Sequence, residues 1–394
     1  MKFRQFALIP PIVLLAACQS ADPIAPEQAQ PAAPVMAASD IARIPGRYIV
    51  VFKSATRDVP GAARALAEAA GGQMGYLYNG GIKGFSVTLP PAAAAVLARS
   101  PLVEFVEEDQ IMTASAIQAS ATWGIDRLDQ RTLPLNASYS YTATGRGVNA
   151  YIVDTGILPT HTEFGNRASI GYDAITPTAP QPDCNGHGTH VAGTVGGSTY
   201  GVAKAVRLIG VRVLNCNGSG STSGVIAGVN WVATNAVKPA VANMSLGGGA
   251  STALDNAVKA AINNGVTFVV AAGNSNLPAC QYSPARVSAA ITVGATTRTD
   301  AQASYSNYGS CLDLFAPGSA ITSAWYTSAT STATISGTSM ASPHVAGVAA
   351  QYLQGKPTST TPKQVRDALV ANATTVTKLR DAFDSPQKLL FSKY

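Results

Sequence analysis

From about residue 123 onward, apolar residues fall in short β-branched runs separated by helix-length stretches rich in Ala and Val. Residues 148–153, 208–214, 241–245, 266–271 and 290–293 read as buried strands, and 188–196, 223–236, 253–263 and 362–371 as helices. Strands alternating with helices predict a doubly wound α/β fold, with a mostly parallel sheet covered on both faces. Right-handed crossovers then bring the carboxyl ends of the strands, and the loops beyond them, to one edge, where such sheets carry their sites. Residues 336–351 (SGTSMASPHVAGVAAQ) belong to that edge. Gly337 and Thr338 form a turn delivering Ser339 to a helix start, where unpaired N–H groups and the positive dipole end face outward. A serine there is either a helix cap or a nucleophile.

The preceding part is patterned differently. Residues 48–52, 73–78, 85–89 and 103–106 read as strands; 62–70, ending at Gly71-Gly72, and 91–99, opened by Pro90-Pro91, read as helices. The order βαββαβ predicts a small α+β domain of the split ferredoxin-like kind, which at about 70 residues buries only a modest core. Residues 1–17 place Lys2 and Arg4 before an apolar stretch too short to span a bilayer, as an export signal does. Residues 15–18 (LAAC) also resemble a lipoprotein cleavage box that would anchor the precursor by a lipid on Cys18; an ordinary signal peptide is the alternative. Residues 18–44, rich in Ala, Pro and Gln, read as a disordered linker, and 113–121 (TASAIQASA) as a cleavable junction. The expected organisation is therefore signal peptide 1–17, linker 18–44, removable pro-segment 45–118 and main domain 119–394.

Charge narrows the function classes. From Ala119 on there are 18 Lys/Arg against 12 Asp/Glu, thinly spread and without a basic run or aromatic stripe, which excludes a nucleic-acid binder. Cys184, Cys216, Cys280 and Cys311 are an even set in an exported chain with no metal-ligand spacing, which predicts two disulfides in any of three pairings.

The chemistry rests on few residues. The chain has four histidines, His161, His187, His190 and His344, and a nucleophilic serine needs one of them as base and a carboxylate to orient it. Asp154 ends a strand before Thr155-Gly156, and His187 lies between two glycines that allow close backbone approach. His161, His190 and His344 read as hydrogen-bonded scaffold. Asp154-Thr155-Gly156, Gly186-His187-Gly188-Thr189-His190 and Gly337-Thr338-Ser339-Met340-Ala341-Ser342-Pro343-His344 occur in the order Asp, His, Ser. Together they resemble the subtilases, in particular the proteinase K branch and its aqualysin-type secreted bacterial members. An α/β-hydrolase would need GxSxG and the order Ser, Asp, His, and a catalytically silent relative would be expected to lack one of these residues.

That resemblance implies a secreted serine endopeptidase of broad specificity, made as a pre-pro-enzyme whose inhibitor-type propeptide serves as chaperone and inhibitor. It implies Ser339 as nucleophile, His187 as base and then acid, Asp154 as orienting carboxylate and Asn274 as oxyanion donor. Ser245, Leu246 and Gly247 would pair with an extended polypeptide substrate, with Ala271, Ala272 and Gly273 walling a small uncharged pocket. It pairs Cys184 with Cys216 and Cys280 with Cys311. It implies structural calcium, one ion at Asp313 with carbonyls near Ser288 and Ala290 and another at Asp126, Asp129 and Gln130 with Asn136. The mature form is expected to be monomeric and free of the membrane.

Overall fold

On the strand Asn149–Asp154, Ala150 and Ile152 turn to one face and Tyr151 and Val153 to the other, and each face meets its own helix layer. The structure, a computed structural model, describes residues 32–36, 43–80, 82–110, 116–379 and 384–394; the expected export signal and Cys18 lie outside them. It divides into two compact units, Met1–Thr113 and Ala114–Tyr394.

In the larger unit the sheet runs in the spatial order Ala168–Asp173, Arg207–Arg212, Asn149–Asp154, Ala240–Met244, Thr267–Ala271, Ile291–Thr296, Leu314–Pro317, Lys388–Leu389, Thr374–Thr375. All neighbours are parallel except the last pair. Helices His187–Gly196 and Thr338–Leu353 pack on one face through Val191, Val195, Val345 and Val348. Thr222–Asn235 and Thr252–Asn263 cover the other through Val225, Val229, Val232, Leu254 and Val258. Each fully buried aliphatic side chain contributes about 1.5–3 kcal/mol, so both layers are tightly fixed. Asn149–Asp154 has Arg207–Arg212 on one side and Ala240–Met244 on the other. Its carboxyl end is thus the point where the winding reverses and a crevice opens.

Several elements carried no local signal. Ala168–Asp173 is an edge strand with a largely exposed face, and Leu314–Pro317 and the hairpin Ile321–Ala324/Thr332–Ile335 are four-residue strands. Ala116–Ala119, inside the stretch expected to be an unstructured junction, pairs antiparallel with Ser138–Tyr141, and Gln118 Nε2 donates to Thr199 O at 2.9 Å. Its order comes from pairing with distant residues.

In the smaller unit a sheet runs in the order Val35–Met36, Val103–Gln110, Arg43–Phe52, Lys83–Thr88, Gln73–Asn79. Helices Val59–Ala69 and Pro91–Leu97 share a core with Tyr48, Val50, Phe52, Phe85, Val87 and Val106. This is the predicted βαββαβ arrangement. Val35–Met36 falls within the stretch expected to be disordered linker, yet it pairs parallel with Val106 and Glu107. Both residues are exposed, so backbone hydrogen bonds rather than their side chains do most to hold this strand.

Candidate active site

Asp154 is the last residue of the central strand and fully buried. Its Oδ1 accepts from Thr155 N at 2.7 Å and lies 2.7 Å from His187 Nδ1, leaving Nε2 of the imidazole for the crevice. Helix His187–Gly196 begins close to that strand because residue 188 is glycine: a Cβ there would fall 2.1 Å from Gly156 O. A second buried carboxylate, Asp183, anchors the helix start. Its Oδ1 accepts from Thr155 Oγ1, Asn185 N and Gly186 N at 2.9–3.0 Å, and its Oδ2 from Thr189 N at 2.9 Å and Thr189 Oγ1 at 2.6 Å. Burial pushes the His187 pKa down, but the charge and hydrogen bond of Asp154, with the charge of Asp183 behind, outweigh it and hold the pKa above the ordinary histidine value. No sequence signal distinguished Asp183 from a surface carboxylate.

Ser339 is the second residue of helix Thr338–Leu353, and its Oγ donates to Ser245 O at 3.1 Å. Pro343, four residues on, has no N–H to give the Ser339 carbonyl. The Ser245 hydroxyl supplies the missing donor at 2.7 Å. Asn243 Nδ2 donates to that same hydroxyl at 2.8 Å, and Ser342 Oγ lies 2.9 Å from it. The Ser245 side chain is therefore turned inward beneath the nucleophile helix, while its carbonyl accepts from the Ser339 hydroxyl.

Asn274 follows the strand Thr267–Ala271 at the same edge. Its Oδ1 accepts from both Thr338 N and Thr338 Oγ1 at 2.8 Å, which leaves the amide Nδ2 to point elsewhere. A Cβ built on Gly337 would meet Asn274 Nδ2 at 3.4 Å and Ser339 N at 3.5 Å. The two N–H donors thus border one small space that glycine keeps empty. Thr338, read from sequence only as a turn residue, sets the orientation of the Asn274 amide.

Leu246 to Gly249 separate two cavities. One, of about 250 Å3, is lined by Ala271, Ala272, Gly273, Asn274, Tyr282 and Ser339; the other, of about 460 Å3, by Thr155, His187, Leu214, Val225 and Leu254. Gly248–Gly249 pair with Tyr282–Ser283 through one edge. A Cβ on either glycine would meet nothing within 4 Å, so a second backbone can approach.

The remaining histidines are structural. His190 Nε2 lies 3.0 Å from Ile321 O and His344 Nδ1 2.8 Å from Met340 O, and burial lowers both to about 4, so they stay neutral. His161 Nε2 lies 2.9 Å from Ser331 O. Disulfides join Cys184 to Cys216 and Cys280 to Cys311. The first staples the chain three residues before His187 to the loop at Leu214–Gly220 that lines the larger cavity.

The two expected cation sites differ. Around Asp126 and Asp129 the carboxylates clasp one loop: Asp126 Oδ2 accepts from Ala137 N at 2.9 Å and Asp129 Oδ2 from Ser140 N at 2.7 Å, while Asp129 Oδ1 is buried without a partner. Gln130 lies beside them, its Nε2 donating to Thr132 O and Pro134 O, and Asn136 Oδ1 accepts from Ser138. An orphaned buried carboxylate oxygen suits a hard cation. At Asp313 the carboxylate already has a cationic partner. Arg366 Nε sits 2.8 Å from Asp313 Oδ1 and its Nη1 donates to Ser288 O, while Asp313 Oδ2 takes Thr292 N at 2.8 Å. A guanidinium thus holds two of the oxygens expected to bind calcium, one of Asp313 and the carbonyl of Ser288.

Comparison with known proteins follows the same lines. A profile described as "Subtilase family" matches residues 145–387, and one described as "Peptidase inhibitor I9" matches residues 47–115. The chain belongs to the subtilase family. This subtilase is 56% identical to the "Extracellular serine proteinase" of Thermus sp. (strain Rt41A), over 97% of each chain. It is 52% identical to the "Alkaline serine exoprotease A" of Vibrio alginolyticus, over 92% of this chain and 70% of that one. A solved structure, that of a cold adapted subtilisin-like serine proteinase, superposes with a TM-score of 0.68 at 58% identity, covering 70% of this chain and 100% of the other. The subtilase is thus a serine proteinase carrying an I9 inhibitor domain ahead of its peptidase domain.

Proposed function

We propose that this subtilase is a secreted endopeptidase of broad specificity working through an acyl-enzyme, with Ser339, His187 and Asp154 as its triad. The observation that supports the reading is that Asn274 Nδ2 and Ser339 N lie 3.4 Å and 3.5 Å from one point, the position a Cβ on Gly337 would take. In the first step the Ser339 hydroxyl turns from Ser245 O to His187 Nε2, gives up its proton there and attacks the substrate carbonyl carbon. The carbonyl oxygen becomes anionic and takes the two N–H donors, while Asp154 stabilises the imidazolium. Collapse expels the amine, which leaves with the proton from His187, and water repeats the sequence in reverse to free the acid. Leu246 and Gly247 offer backbone to an extended substrate, and Ala271, Ala272 and Gly273 wall a side-chain pocket without charge, which favours aliphatic and aromatic residues.

The I9 domain supports synthesis as a self-processing pre-pro-enzyme, the propeptide assisting the folding of a sheet of non-local contacts and restraining the enzyme until degraded. The name of the Thermus relative supports export, and no helix among the described residues is long and apolar enough to cross a membrane. Cys18 leaves with the propeptide whether or not it carries a lipid. Because Ala116–Ala119 is a paired strand of the peptidase unit, the maturation cut falls before Ala116 rather than near Gln118. N-terminal sequencing of the mature protein reads this directly; a start after Ala119 would refute it. At Asp126, Asp129 and Gln130 a calcium ion would supply positive charge to two neighbouring carboxylates, one of which has an oxygen buried without a partner.

Ser339→Ala is expected to lower casein hydrolysis about 10^6-fold, to abolish self-processing and to prevent fluorophosphonate labelling. Processing retained in the purified variant would overturn the autocatalytic reading, and an unlabelled wild-type Ser339 would favour a non-catalytic module.

A further inference from the structure

The Asp313 site has the oxygen donors of a cation site and already has a cation. Asp313 is nearly buried, with one carboxylate oxygen on Thr292 N and the other on Arg366 Nε at 2.8 Å. The same guanidinium donates to Ser288 O, so one planar fork bridges the carboxylate and the carbonyl that would both have to ligate an ion. Calcium needs its oxygens at about 2.3–2.6 Å, a shell the guanidinium nitrogens now fill. The charges agree. Asp367, the next residue on helix Pro362–Asn372, is paired with Lys363 at 2.5 Å, which leaves Asp313 as the counter-charge of Arg366. A divalent ion would have to displace Arg366 and then repel it.

We propose that Arg366 is a built-in replacement for calcium at this site, tying helix Pro362–Asn372 to the Ser288–Thr292 segment without dependence on a free ion. The replacement is reversible by mutation, because Ser288 and Arg366 line an open groove of about 1000 Å3 through which solvent ions can reach Asp313 once the guanidinium is gone. The inference concerns stability and is independent of the reaction proposed above.

The test is calorimetric, on mature protein inactivated with a fluorophosphonate, in EDTA and in calcium. Asp129→Asn first removes the contribution of the other expected site. In that background the protein with Arg366 intact is expected to melt at the same temperature with and without calcium. Adding Arg366→Met, which keeps the packing of the stem, is expected to lower Tm in EDTA and to create a calcium response of about 5–10 °C at a hundredfold excess over Kd. Adding Asp313→Asn to that variant should remove the response. The proposal is overturned if the protein with Arg366 intact shows a calcium response that Asp313→Asn abolishes, or if Arg366→Met folds and gains none. Should Arg366→Met not fold, calcium titration of Asp129→Asn with and without Asp313→Asn decides: no binding in either supports the proposal, and binding lost with Asp313 refutes it. A wild-type protein indifferent to calcium would count against the Asp126/Asp129 reading alone.

Discussion

On the side of the crevice that carries His187 the buried supporting groups are carboxylates, Asp154 at 2.7 Å from the ring and Asp183 holding the helix start with five donors. On the side that carries Ser339 they are hydroxyls and amides: Ser245, Ser342, Asn243, Thr338 and Asn274. Among the described residues, no Asp or Glu lines the cavity beside the serine. The difference matches where charge develops during acyl transfer. A proton arrives on the imidazole and is met by negative charge already in place, while an oxyanion forms near Ser339 and is met only by N–H dipoles. A carboxylate on the serine side would oppose the oxyanion, and a neutral shell on the histidine side would leave the imidazolium uncompensated.

Substitutions that disturb one side and spare the other test this division. The largest effect is expected from Gly337→Ala. The added methyl fills the space that both N–H donors border, so turnover should fall by about 10^3-fold, at least the 10^2–10^3-fold expected for Asn274→Ala by analogy with the equivalent donor of subtilisin. Near-ultraviolet circular dichroism should stay native, since the backbone at 337 is extended and open to any residue; undiminished turnover would mean the oxyanion lies elsewhere. Next is Thr338→Val, which removes one of two hydrogen bonds fixing the Asn274 amide. A loss of about 1 kcal/mol predicts a five- to tenfold drop in kcat with little change in KM, recovered by Thr338→Ser. The smallest is Asp183→Asn. Neutral His187 is the active base and its pKa is raised partly by Asp183, so activity is lost as pH falls through that raised value. Removing the charge should move the acid limb of kcat/KM to lower pH, with some loss of Tm from the broken bonds at Thr189. An unmoved limb together with a lower Tm would reduce Asp183 to a structural role.

The elements with strong local patterning were legible. Runs such as 148–153 and 266–271 lie close to the observed strands, and the three short motifs around Asp154, His187 and Ser339 marked the edge where the site forms. Elements made by pairing alone were not. Ala116–Ala119 and Val35–Met36 have no pattern of their own and owe their conformation to partners elsewhere in the chain. The supporting roles were equally silent: Asp183 carried no signal, and Thr338 and Ser245, read as a turn residue and a substrate-pairing residue, act through hydrogen bonds to groups up to about 94 residues away. The arrangement at Asp313 was hidden for a related reason: the resemblance implied its oxygen ligands, but the guanidinium that meets them comes from a helix over 50 residues later.

The sequence by itself determined which residues could do chemistry, because nucleophile, base and carboxylate must be specific side-chain types, and which segments could be strands or helices, because those periods are local. Only the tertiary structure decided what those residues meet. The orientation of the Asn274 amide, the inward turn of Ser245 and the guanidinium on Asp313 each depend on the relative placement of segments brought together by the sheet. No local pattern encodes such placement, since it follows from packing both faces of the sheet at once.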